Sequence, residues 1–359
     1  MKISNKNKKN INLAIIGFGF MGKTYAHAAQ SLKTYFPDCP NLKLKTVVLK
    51  NLQNERIIKE RYQISEVTDD YLSVFSDPEI NAVYISTPTD NHFKYVKLAI
   101  ENNKHFLCEK PITSSLQETE TLNQLLKENK SIISNIVFEY RFVPAVNEIK
   151  KLINNNILGE IIQFRVCYLH GSYIVERPET WRLKKNAGGV ILDLAPHVLD
   201  LVNYLIAPIN EIKSKSITCF PGRKVEDISW MMCKTVNDIN GTIEVSRMST
   251  GSIDDLRIEI HGYKGAVKWS LENLNYLEYF SKDNKYEGFL KIPIFNEKDS
   301  ISDFPPPKVT TGWMRSHIDC LYNFIKKVEN TSFFDIKSAS FEDGLLVQSL
   351  IHKIKSENN

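Results

Sequence analysis

Two polar residues spaced four positions apart, Asp193 and His197, stand at the start of a predicted helix. Residues at positions i and i+4 lie on the same face of a helix, so both side chains are predicted to face one space. Imidazole titrates near neutral pH and can take the hydroxyl proton when an alcohol carbon loses hydride. Asp193 could orient or charge-stabilise that ring, or contact a substrate itself. The alternatives are that Asp193 caps the helix and that His197 is a core histidine with satisfied hydrogen bonds.

A lysine follows a strand predicted over residues 104–108, in the segment Cys108-Glu109-Lys110-Pro111. At the carboxyl end of a strand, Lys110 could hydrogen-bond a substrate hydroxyl, and desolvation would lower its pKa. Pro111 restricts the backbone, and the sequence leaves open whether its peptide bond is cis. Taken alone, Lys110 is better explained as a surface lysine than as a catalytic one.

The strongest local motif is a glycine-rich segment directly after a predicted strand, Gly17-Phe18-Gly19-Phe20-Met21-Gly22. The pattern G-x-G-x-x-G is weak alone but specific where it joins a first strand to a helix. Gly17 permits a tight turn, Gly19 lets the backbone approach a pyrophosphate, and Gly22 allows close helix–strand packing. The helix N-terminus offers free N–H groups and a favourable dipole to the phosphates. The motif predicts bound NAD or NADP, and the alternative is a glycine turn without a ligand.

The end of the second strand bears on the choice of cofactor. An acidic residue there would bind the ribose 2′-hydroxyl of NAD, but this strand ends in Lys50 and Asn51. A lysine suits the 2′-phosphate of NADP, whereas Asn51 can hydrogen-bond a hydroxyl and Lys50 could simply face solvent. The sequence therefore leaves NAD and NADP both open, with a slight lean towards NADP.

A further polar segment, Thr87-Pro88-Thr89-Asp90-Asn91-His92, follows the strand predicted over residues 82–86. Loops at the carboxyl ends of parallel strands form the ligand crevice in this kind of fold. Residues of this segment and of the one after the strand over 104–108 are therefore predicted to bind the cofactor, namely Thr87, Pro88, Asn91, His92, Glu109 and Lys110. The alternative for His92 is a helix-start residue with a local hydrogen bond.

The elements that must position these groups follow from the hydrophobic pattern. In the first 135 residues, short apolar runs alternate with amphipathic segments. Strands are predicted over residues 12–16, 42–49, 82–86, 104–108 and 131–136, and helices over 21–35, 54–62, 91–101 and 115–128. This alternation predicts a doubly wound parallel sheet of the Rossmann type, with right-handed crossovers.

The pattern changes after about residue 139, where long strands follow one another with few helices. Strands are predicted over residues 160–170, 211–220, 228–236, 241–248, 256–261, 266–271 and 276–280, and helices over 144–154, 194–205, 314–328 and 338–355. The three prolines at 305–307 predict a rigid extended segment before the closing helices. The second half is thus predicted to be an α+β domain with a large, mostly antiparallel sheet.

The domain organisation follows from these two patterns. We expect a basic flexible tail over residues 1–10, an NAD(P)-binding domain over 11–138, and a domain for substrate binding and oligomerisation over 139–359. The closing helices could pack back on the first domain.

The composition excludes several classes of protein. The chain has 42% hydrophobic and 25% charged residues and a net charge of +4, spread along its length. That balance is typical of a globular protein, and no basic face suited to nucleic acid stands out. No apolar stretch approaches the roughly 20 residues that cross a bilayer. The six cysteines form no C-x-x-C pair, which indicates reduced thiols and no metal site. We expect a cytoplasmic protein.

Taken together, the motifs resemble the Gfo/Idh/MocA family, named after glucose–fructose oxidoreductase and inositol dehydrogenase. The resemblance rests on the glycine loop, Thr87-Pro88 with His92, Glu109-Lys110-Pro111, and Gly188-Gly189 with Asp193, His197 and Asp200, in that order. It extends through Trp181-Arg182, residues 259–266 and residues 340–345, and so covers nearly the whole chain. Two positions depart from the family pattern: the acid after the second strand is missing, and Pro196 replaces a small residue.

The resemblance implies a Rossmann domain followed by an α/β domain, and a catalytic set of Lys110, Asp193 and His197, with His197 or Lys110 moving the proton. The implied reaction is the NAD(P)-dependent interconversion of a secondary alcohol and a ketone on a sugar, inositol or sugar derivative. The exposed sheet face of the second domain commonly forms the interface in such enzymes, so we expect a homodimer or homotetramer.

The resemblance also suggests three residues that line the substrate pocket together with the catalytic set, namely Arg141, Trp181 and Arg182. An ion pair between domains and core packing explain them equally well. Two other functions stay open: reduction of a non-sugar carbonyl, and sensing of NAD(P) or a sugar without turnover. Because a sensor needs only the glycine loop, the presence of Lys110, Asp193 and His197 together argues against it.

Overall fold

The chain divides into two units in the computed structural model, which describes residues 10–175, 180–185, 187–285, 287–295, 302, 304–306, 308–333, 335 and 337–357. The first unit comprises the described residues of Met1–Glu139, Glu297–Pro306 and Trp313–Leu345. The second comprises those of Tyr140–Asn296, Pro307–Gly312 and Leu346–Asn359. The predicted basic tail lies outside the described residues except for its last position, and so does the third proline of the run at 305–307.

Six parallel strands form the sheet of the first unit. They are β1 (Asn10–Ile16), β2 (Asn41–Val48), β3 (Glu66–Thr68), β4 (Ala82–Ile85), β5 (His105–Cys108) and β6 (Ser134–Ile136). Their order is β3-β2-β1-β4-β5-β6, and every neighbouring pair is parallel. The strand order reverses between β1 and β4, which is where sheets of this kind bind their ligands.

Five helices connect these strands: α1 (Phe20–Tyr35), α2 (Glu55–Tyr62), α3 (Tyr71–Ser76), α4 (His92–Glu101) and α5 (Leu116–Glu128). The interior of the sheet is apolar because its strands are covered on both faces, and Leu13, Ile15 and Val83 are fully buried. The sequence pattern did not predict β3 or α3. Both are too short to show a hydrophobic period.

The second unit contains an eight-stranded sheet. Its strands are β7 (Ile161–Leu169), β8 (Ile209–Ile217), β9 (Ile228–Thr235), β10 (Asn240–Ser246), β11 (Asp255–Gly262), β12 (Gly265–Ser270), β13 (Tyr276–Ser281) and β14 (Leu290–Pro293). Their order is β14-β13-β12-β11-β7-β10-β9-β8. Only β7 and β10 pair in parallel, and every other neighbouring pair is antiparallel. The predicted fold class is thus confirmed for both halves of the chain.

One face of this second sheet packs against helices α6 (Pro144–Asn154), α7 (Val190–Asp193) and α8 (Ala195–Leu205). Alternation along β7 buries Phe164, Val166 and Tyr168 on the helix-covered face. The other face is open, since Trp230 and Met232 of β9 are 41% and 66% exposed.

The last two helices are α9 (Trp313–Glu329) and α10 (Phe341–Glu357). Helix α9 belongs to the first unit and packs along α1, where Tyr322 stacks on Phe36 with ring centroids 3.7 Å apart. The side chain of Tyr322 is buried, and its hydroxyl donates a hydrogen bond to the Asp38 carboxylate at 2.9 Å. The first unit therefore includes a segment far along the chain from its sheet.

His317 of α9 is buried without satisfied hydrogen bonds. Its side chain is fully buried, and neither ring nitrogen has a hydrogen-bond partner among the described residues. The ring lies against Trp313 and Tyr25, at centroid distances of 4.1 and 5.6 Å. Burial lowers the pKa of this imidazole to about 3. Between that value and the ordinary value of about 6.5, the ring is therefore neutral in the folded protein and protonated in the unfolded chain.

We expect His317 to make stability depend on pH. Its folded-state pKa is depressed, so its contribution is complete above about pH 6.5 and is lost, at about 1.4 kcal/mol per pH unit, as the pH falls towards the folded-state value. The variant His317→Leu removes this proton linkage and two unsatisfied nitrogens. Its free energy of unfolding in urea should change less than that of the wild type between about pH 7.5 and 5.5. Substitution of the exposed His352 by Gln is the matched control and should keep the wild-type dependence. Equal pH dependence in His317→Leu and the wild type would contradict this account.

Candidate active site

The glycine loop follows β1 and is held by the ends of two neighbouring strands. Gly17 has a φ of +94°, and its N–H donates to the Val48 carbonyl at 2.9 Å. The Ser86 hydroxyl donates to the Gly17 carbonyl at 2.8 Å. A Cβ at Gly17 would lie 2.9 Å from the Ser86 carbonyl oxygen, so both the dihedral angle and the close approach require glycine.

The other two glycines of the loop serve different purposes. A Cβ at Gly22 would lie 2.3 Å from the Gly17 carbonyl oxygen, so Gly22 allows α1 to pack onto the turn. A Cβ at Gly19 would meet no described atom within 4 Å. Protein packing therefore gives no reason for a glycine at position 19, whereas the approach of a ligand to the backbone does.

The N-terminus of α1 fits a bound pyrophosphate. Its N-cap residue, Gly19, makes no capping hydrogen bond through a side chain, and its first turn contains no acidic residue. The first N–H groups and the positive end of the helix dipole are thus left for an anion.

Phe18 packs edge-on against Tyr62, while Met21 is half-buried. Phe20 is 70% exposed and stacks on Trp313, with centroids 5.8 Å apart.

Lys50 and Asn51 lie just beyond β2 and are both exposed. The Asn51 side chain accepts the N–H of Gln53 at 2.9 Å and so forms a local turn. Lys50 therefore stands at the end of the strand where a ribose 2′-substituent is bound in this fold. Its preference for NADP stays a prediction.

The loop after β4 is connected to the loop after β5 through His92. Thr87 and Pro88 are half-buried, Asn91 donates to the Asp90 carboxylate at 2.7 Å, and His92 begins α4. The His92 ring is buried, with Nε2 2.8 Å from the Thr87 carbonyl oxygen and Nδ1 2.9 Å from that of Pro111. Burial lowers the pKa of His92. His92 therefore contacts the loop after β5 as well as its own loop, whereas the alternative interpretation gave it a local hydrogen bond alone.

The segment after β5 contains one buried and one half-buried charged residue. Glu109 is buried and accepts the Tyr84 hydroxyl at 2.6 Å. Lys110 is half-buried, and the Lys110–Pro111 peptide bond is cis. Burial is the main cause that lowers the pKa of His92, and the nearby charge of Lys110 lowers it further.

In the second unit, Asp193 and His197 are on two helices rather than one. Helix α7 ends at Asp193, α8 begins at Ala195, and Leu194 separates them. Pro196 has no N–H to continue the hydrogen-bond ladder, which explains the interruption. The prediction that one helix face presents both side chains was therefore too simple.

Asp193 is held by two arginines. It is buried, it accepts Arg182 Nε at 3.2 Å, and it forms an ion pair with Arg247. It does not cap α8, whose N-cap residue Leu194 makes no side-chain hydrogen bond. The alternative in which Asp193 is an N-cap is therefore wrong.

His197 lies among phenol groups. The side chain is 6% exposed, and its ring meets the edges of Tyr140 and Tyr168 at centroid distances of 5.1 and 5.6 Å. The two hydroxyls are 3.0 Å apart, and that of Tyr168 donates to Asp254 at 2.8 Å. Burial raises the pKa of Tyr168 well above its ordinary value, so this phenol stays protonated. His197 thus belongs to a buried polar cluster.

Two further polar residues follow the parallel pair of strands. Leu169 of β7 is paired with Ser246 of β10, so the next residues, His170 and Arg247, leave the same edge of the sheet. His170 Nε2 is 3.3 Å from Asp254, and burial lowers the pKa of this histidine. Sequence reasoning missed Arg247 and Asp254, because the signals that identify them are the pairings of β7 with β10 and with β11.

The three residues predicted to line a substrate pocket are placed differently. Arg141 is buried and forms a bidentate ion pair with Asp200, at 2.9 and 2.6 Å, within the second unit. This geometry favours a structural role for Arg141. Arg182 is 42% exposed, stacks on Trp181 at 4.3 Å, and binds Asp193, so it adjoins the predicted catalytic group.

Neither a metal centre nor a membrane span is evident in the described part of the chain. No group of three or more histidine, cysteine or carboxylate side chains there could hold a metal ion. None of the helices described has both the length and the apolar character needed to cross a bilayer.

Comparison with known proteins links both halves of the chain to one family. Residues 11–136 match the model described as "Oxidoreductase family, NAD-binding Rossmann fold", and residues 146–268 match the GFO/IDH/MocA C-terminal domain. An uncharacterised oxidoreductase of Escherichia coli, YdgJ, is 30% identical over 73% of this chain and 72% of its own.

Several relatives with assigned activities are sugar or inositol dehydrogenases. Levoglucosan dehydrogenase of Pseudarthrobacter phenanthrenivorans is 27% identical over 94% of both chains. The NAD(+)-dependent scyllo-inositol 2-dehydrogenase of Bacillus subtilis is 29% identical over 72% of this chain and 73% of its own. A solved structure of levoglucosan dehydrogenase with NADH and levoglucosan superposes with a TM-score of 0.91 at 27% identity, covering 97% of both chains. This chain is therefore an NAD(P)-dependent oxidoreductase, and it belongs to the Gfo/Idh/MocA family.

Proposed function

We propose that this enzyme interconverts a secondary alcohol and a ketone on a sugar, an inositol or a sugar derivative, with NAD or NADP as the hydride carrier. The observation that carries the proposal is the glycine loop: Gly19 has open space beside it at the uncapped N-terminus of α1. The substrate class rests on the similar dehydrogenases, since levoglucosan and scyllo-inositol are both ring compounds with secondary hydroxyls.

In the proposed reaction, NAD or NADP held by the glycine loop would supply the acceptor for the hydride that leaves the carbinol carbon. The hydroxyl loses its proton at the same time, so the products are the ketone, the reduced cofactor and one proton. His197 takes the proton as general base, and Lys110 hydrogen-bonds the substrate oxygen or exchanges roles with His197. The arginines around Asp193 fix its carboxylate and balance its charge. In this proposal, Asp193 holds Arg182 and Arg247 in position and does not move a proton.

The first experiment is a fluorescence titration of the purified protein with NADH and NADPH, followed by a screen of sugars and inositols for reduced-cofactor absorbance. Binding of a nucleotide and turnover of at least one polyol are the expected results. Tighter binding of NADPH would support the role given to Lys50, and Lys50→Ala should then weaken NADPH and leave NADH unchanged. Failure to bind either nucleotide would overturn the proposal, and binding without turnover across the panel would favour the sensor.

Loss of the proposed base should affect turnover and not cofactor binding. We expect His197→Ala to lower kcat by about 10²- to 10⁴-fold, the usual contribution of a positioned acid–base group. The NADH dissociation constant should stay near the wild-type value, because the glycine loop is unchanged. A parallel loss of nucleotide affinity and turnover would instead indicate a folding defect, which circular dichroism would detect.

The open face of the second sheet supports a homodimer or homotetramer. A groove of about 630 Å³ on this sheet is lined by Trp230, Met232, Arg165 and Glu259, among others. Exposed apolar residues in such a patch are typical of an interaction surface. The patch also contains both signs of charge, with Arg165 3.3 Å from Glu259, so two copies related by a two-fold axis could pair opposite charges.

A charge on this face should therefore separate the subunits. We expect the wild type to have two or four times the monomer mass in light scattering after size exclusion, and Met232→Asp to have a lower mass. Leu72→Asp is the matched control, because Leu72 is 55% exposed on α3 of the first unit. A monomeric wild type, or an unchanged mass in Met232→Asp, would show that this face is not the interface.

The cytoplasmic location and the absence of nucleic-acid binding stay proposals. The location is supported by the six free cysteines, of which four are buried. Reduced thiols without disulfides are typical of reducing compartments.

A further inference from the structure

The segment Glu109–Lys110–Pro111 is held on both sides by residues of the neighbouring strand and helix. On one side, the Glu109 carboxylate is bound by Tyr84 of β4. On the other side, the Pro111 carbonyl is bound by His92 of α4. Lys110 lies between these two attachments.

The first attachment is a buried hydrogen bond between a phenol and a carboxyl group. Tyr84 is fully buried, Glu109 is 8% exposed, and the two oxygens are 2.6 Å apart. The Tyr84 ring stacks on Tyr25 at 3.9 Å, and the Glu109 N–H donates to the Ile85 carbonyl at 2.9 Å. Both the main chain and the side chain of Glu109 are thus fixed to β4. The oxygen–oxygen distance is at the short end of the range for such hydrogen bonds, so this attachment is a firm one.

The second attachment joins two loops through one ring. His92 is 1% exposed, and its nitrogens lie 2.9 Å from the Pro111 carbonyl oxygen and 2.8 Å from that of Thr87. A neutral imidazole donates from one nitrogen only, so one of these contacts is a hydrogen bond at any moment. The ring faces protein carbonyls on both sides and is closed off from solvent. It therefore acts through the loops it joins.

We propose that Tyr84 and His92 are positioning residues that hold Lys110 in place for the reaction. The inference rests on the proposed function, in which Lys110 hydrogen-bonds the substrate oxygen. The lysine side chain is long and flexible, so the position of its amino group depends on how firmly its main chain is held. Displacement of a reacting group by about 1 Å can cost about 100-fold in rate. Tyr84 and His92 fix that main chain from β4 and α4.

The same unit provides a matched control. Tyr322 is 2% exposed, its ring stacks on Phe36, and its hydroxyl donates to the Asp38 carboxylate at 2.9 Å. Tyr322→Phe therefore removes a tyrosine–carboxylate hydrogen bond of the same kind as Tyr84→Phe does. Of these two tyrosines, Tyr84 is the one that hydrogen-bonds to the segment that contains Lys110.

Steady-state kinetics form the first arm of the test. We expect Tyr84→Phe to lower kcat by about 10-fold or more, while KM and the NADH dissociation constant change by less than about 2-fold. The reason is that the substitution disturbs the position of Lys110 and removes no contact to substrate or cofactor. Tyr322→Phe should leave all three near their wild-type values. Should Tyr84→Phe fail to fold, His92→Phe replaces it, because it keeps a flat ring and removes both carbonyl contacts. Indistinguishable kinetics in the Tyr84 and Tyr322 variants would overturn the proposal.

Chemical labelling forms the second arm and needs no substrate. The protein is acetylated briefly with an amine-selective reagent, and modification of Lys110 is followed by peptide mass spectrometry, with the exposed Lys50 as internal reference. We expect Lys110 to react severalfold faster in Tyr84→Phe than in the wild type or Tyr322→Phe, while Lys50 does not change. An unchanged Lys110 rate would refute the positioning role. If the wild type turns over no polyol, the proposed function fails, and labelling alone then decides about Tyr84.

Discussion

The close main-chain approach of Gly17 to Ser86 is the contact on which the geometry of the first unit depends. A side chain at position 17 would clash with the Ser86 carbonyl, so β1 and β4 can meet at this spacing only through glycine. The spacing places the loop after β4 beside the loop after β1, at the point where the strand order reverses. Strand β4 also contains Tyr84, whose hydroxyl hydrogen-bonds to Glu109 just beyond the end of β5. The dinucleotide loop and the main chain around Lys110 are thus arranged around one contact.

Most of the fold could be predicted from the sequence, because its long elements have clear hydrophobic periods. The parallel sheet follows from strand–helix alternation, and the second sheet from successive alternating strands. The pattern fails for β3, α3 and β14, which are too short or too exposed to show a period. It also missed the short helix α7 and the break at Leu194 that separates α7 from the predicted helix over 194–205. Pro196 is visible in the sequence, yet prolines near a helix start are common, so the break could not be deduced from it.

The candidate site was less accessible to sequence reasoning than the fold. The resemblance to the Gfo/Idh/MocA family suggested Lys110, Asp193 and His197 as the catalytic set, whereas residue type and local spacing alone left a structural alternative for each of them. The partners of these groups were not identifiable. Arg247 follows β10 and contacts Asp193 because α7 packs against β10, and Arg141 meets Asp200 through the packing of helices. Such contacts depend on tertiary register, which no local pattern encodes.

The parallel pairing of β7 with β10 also has a consequence for how the second unit folds. These two strands lie at the centre of the sheet, yet α7, α8, β8 and β9 separate them along the chain. The central pair can form only after a long loop has closed, and such non-local pairings are slow to form. Until then, β11 and β10 lack their shared neighbour and present unpaired edges that favour association between chains. The arrangement that brings His170 and Arg247 to one edge therefore makes folding of this unit slow and sensitive to protein concentration.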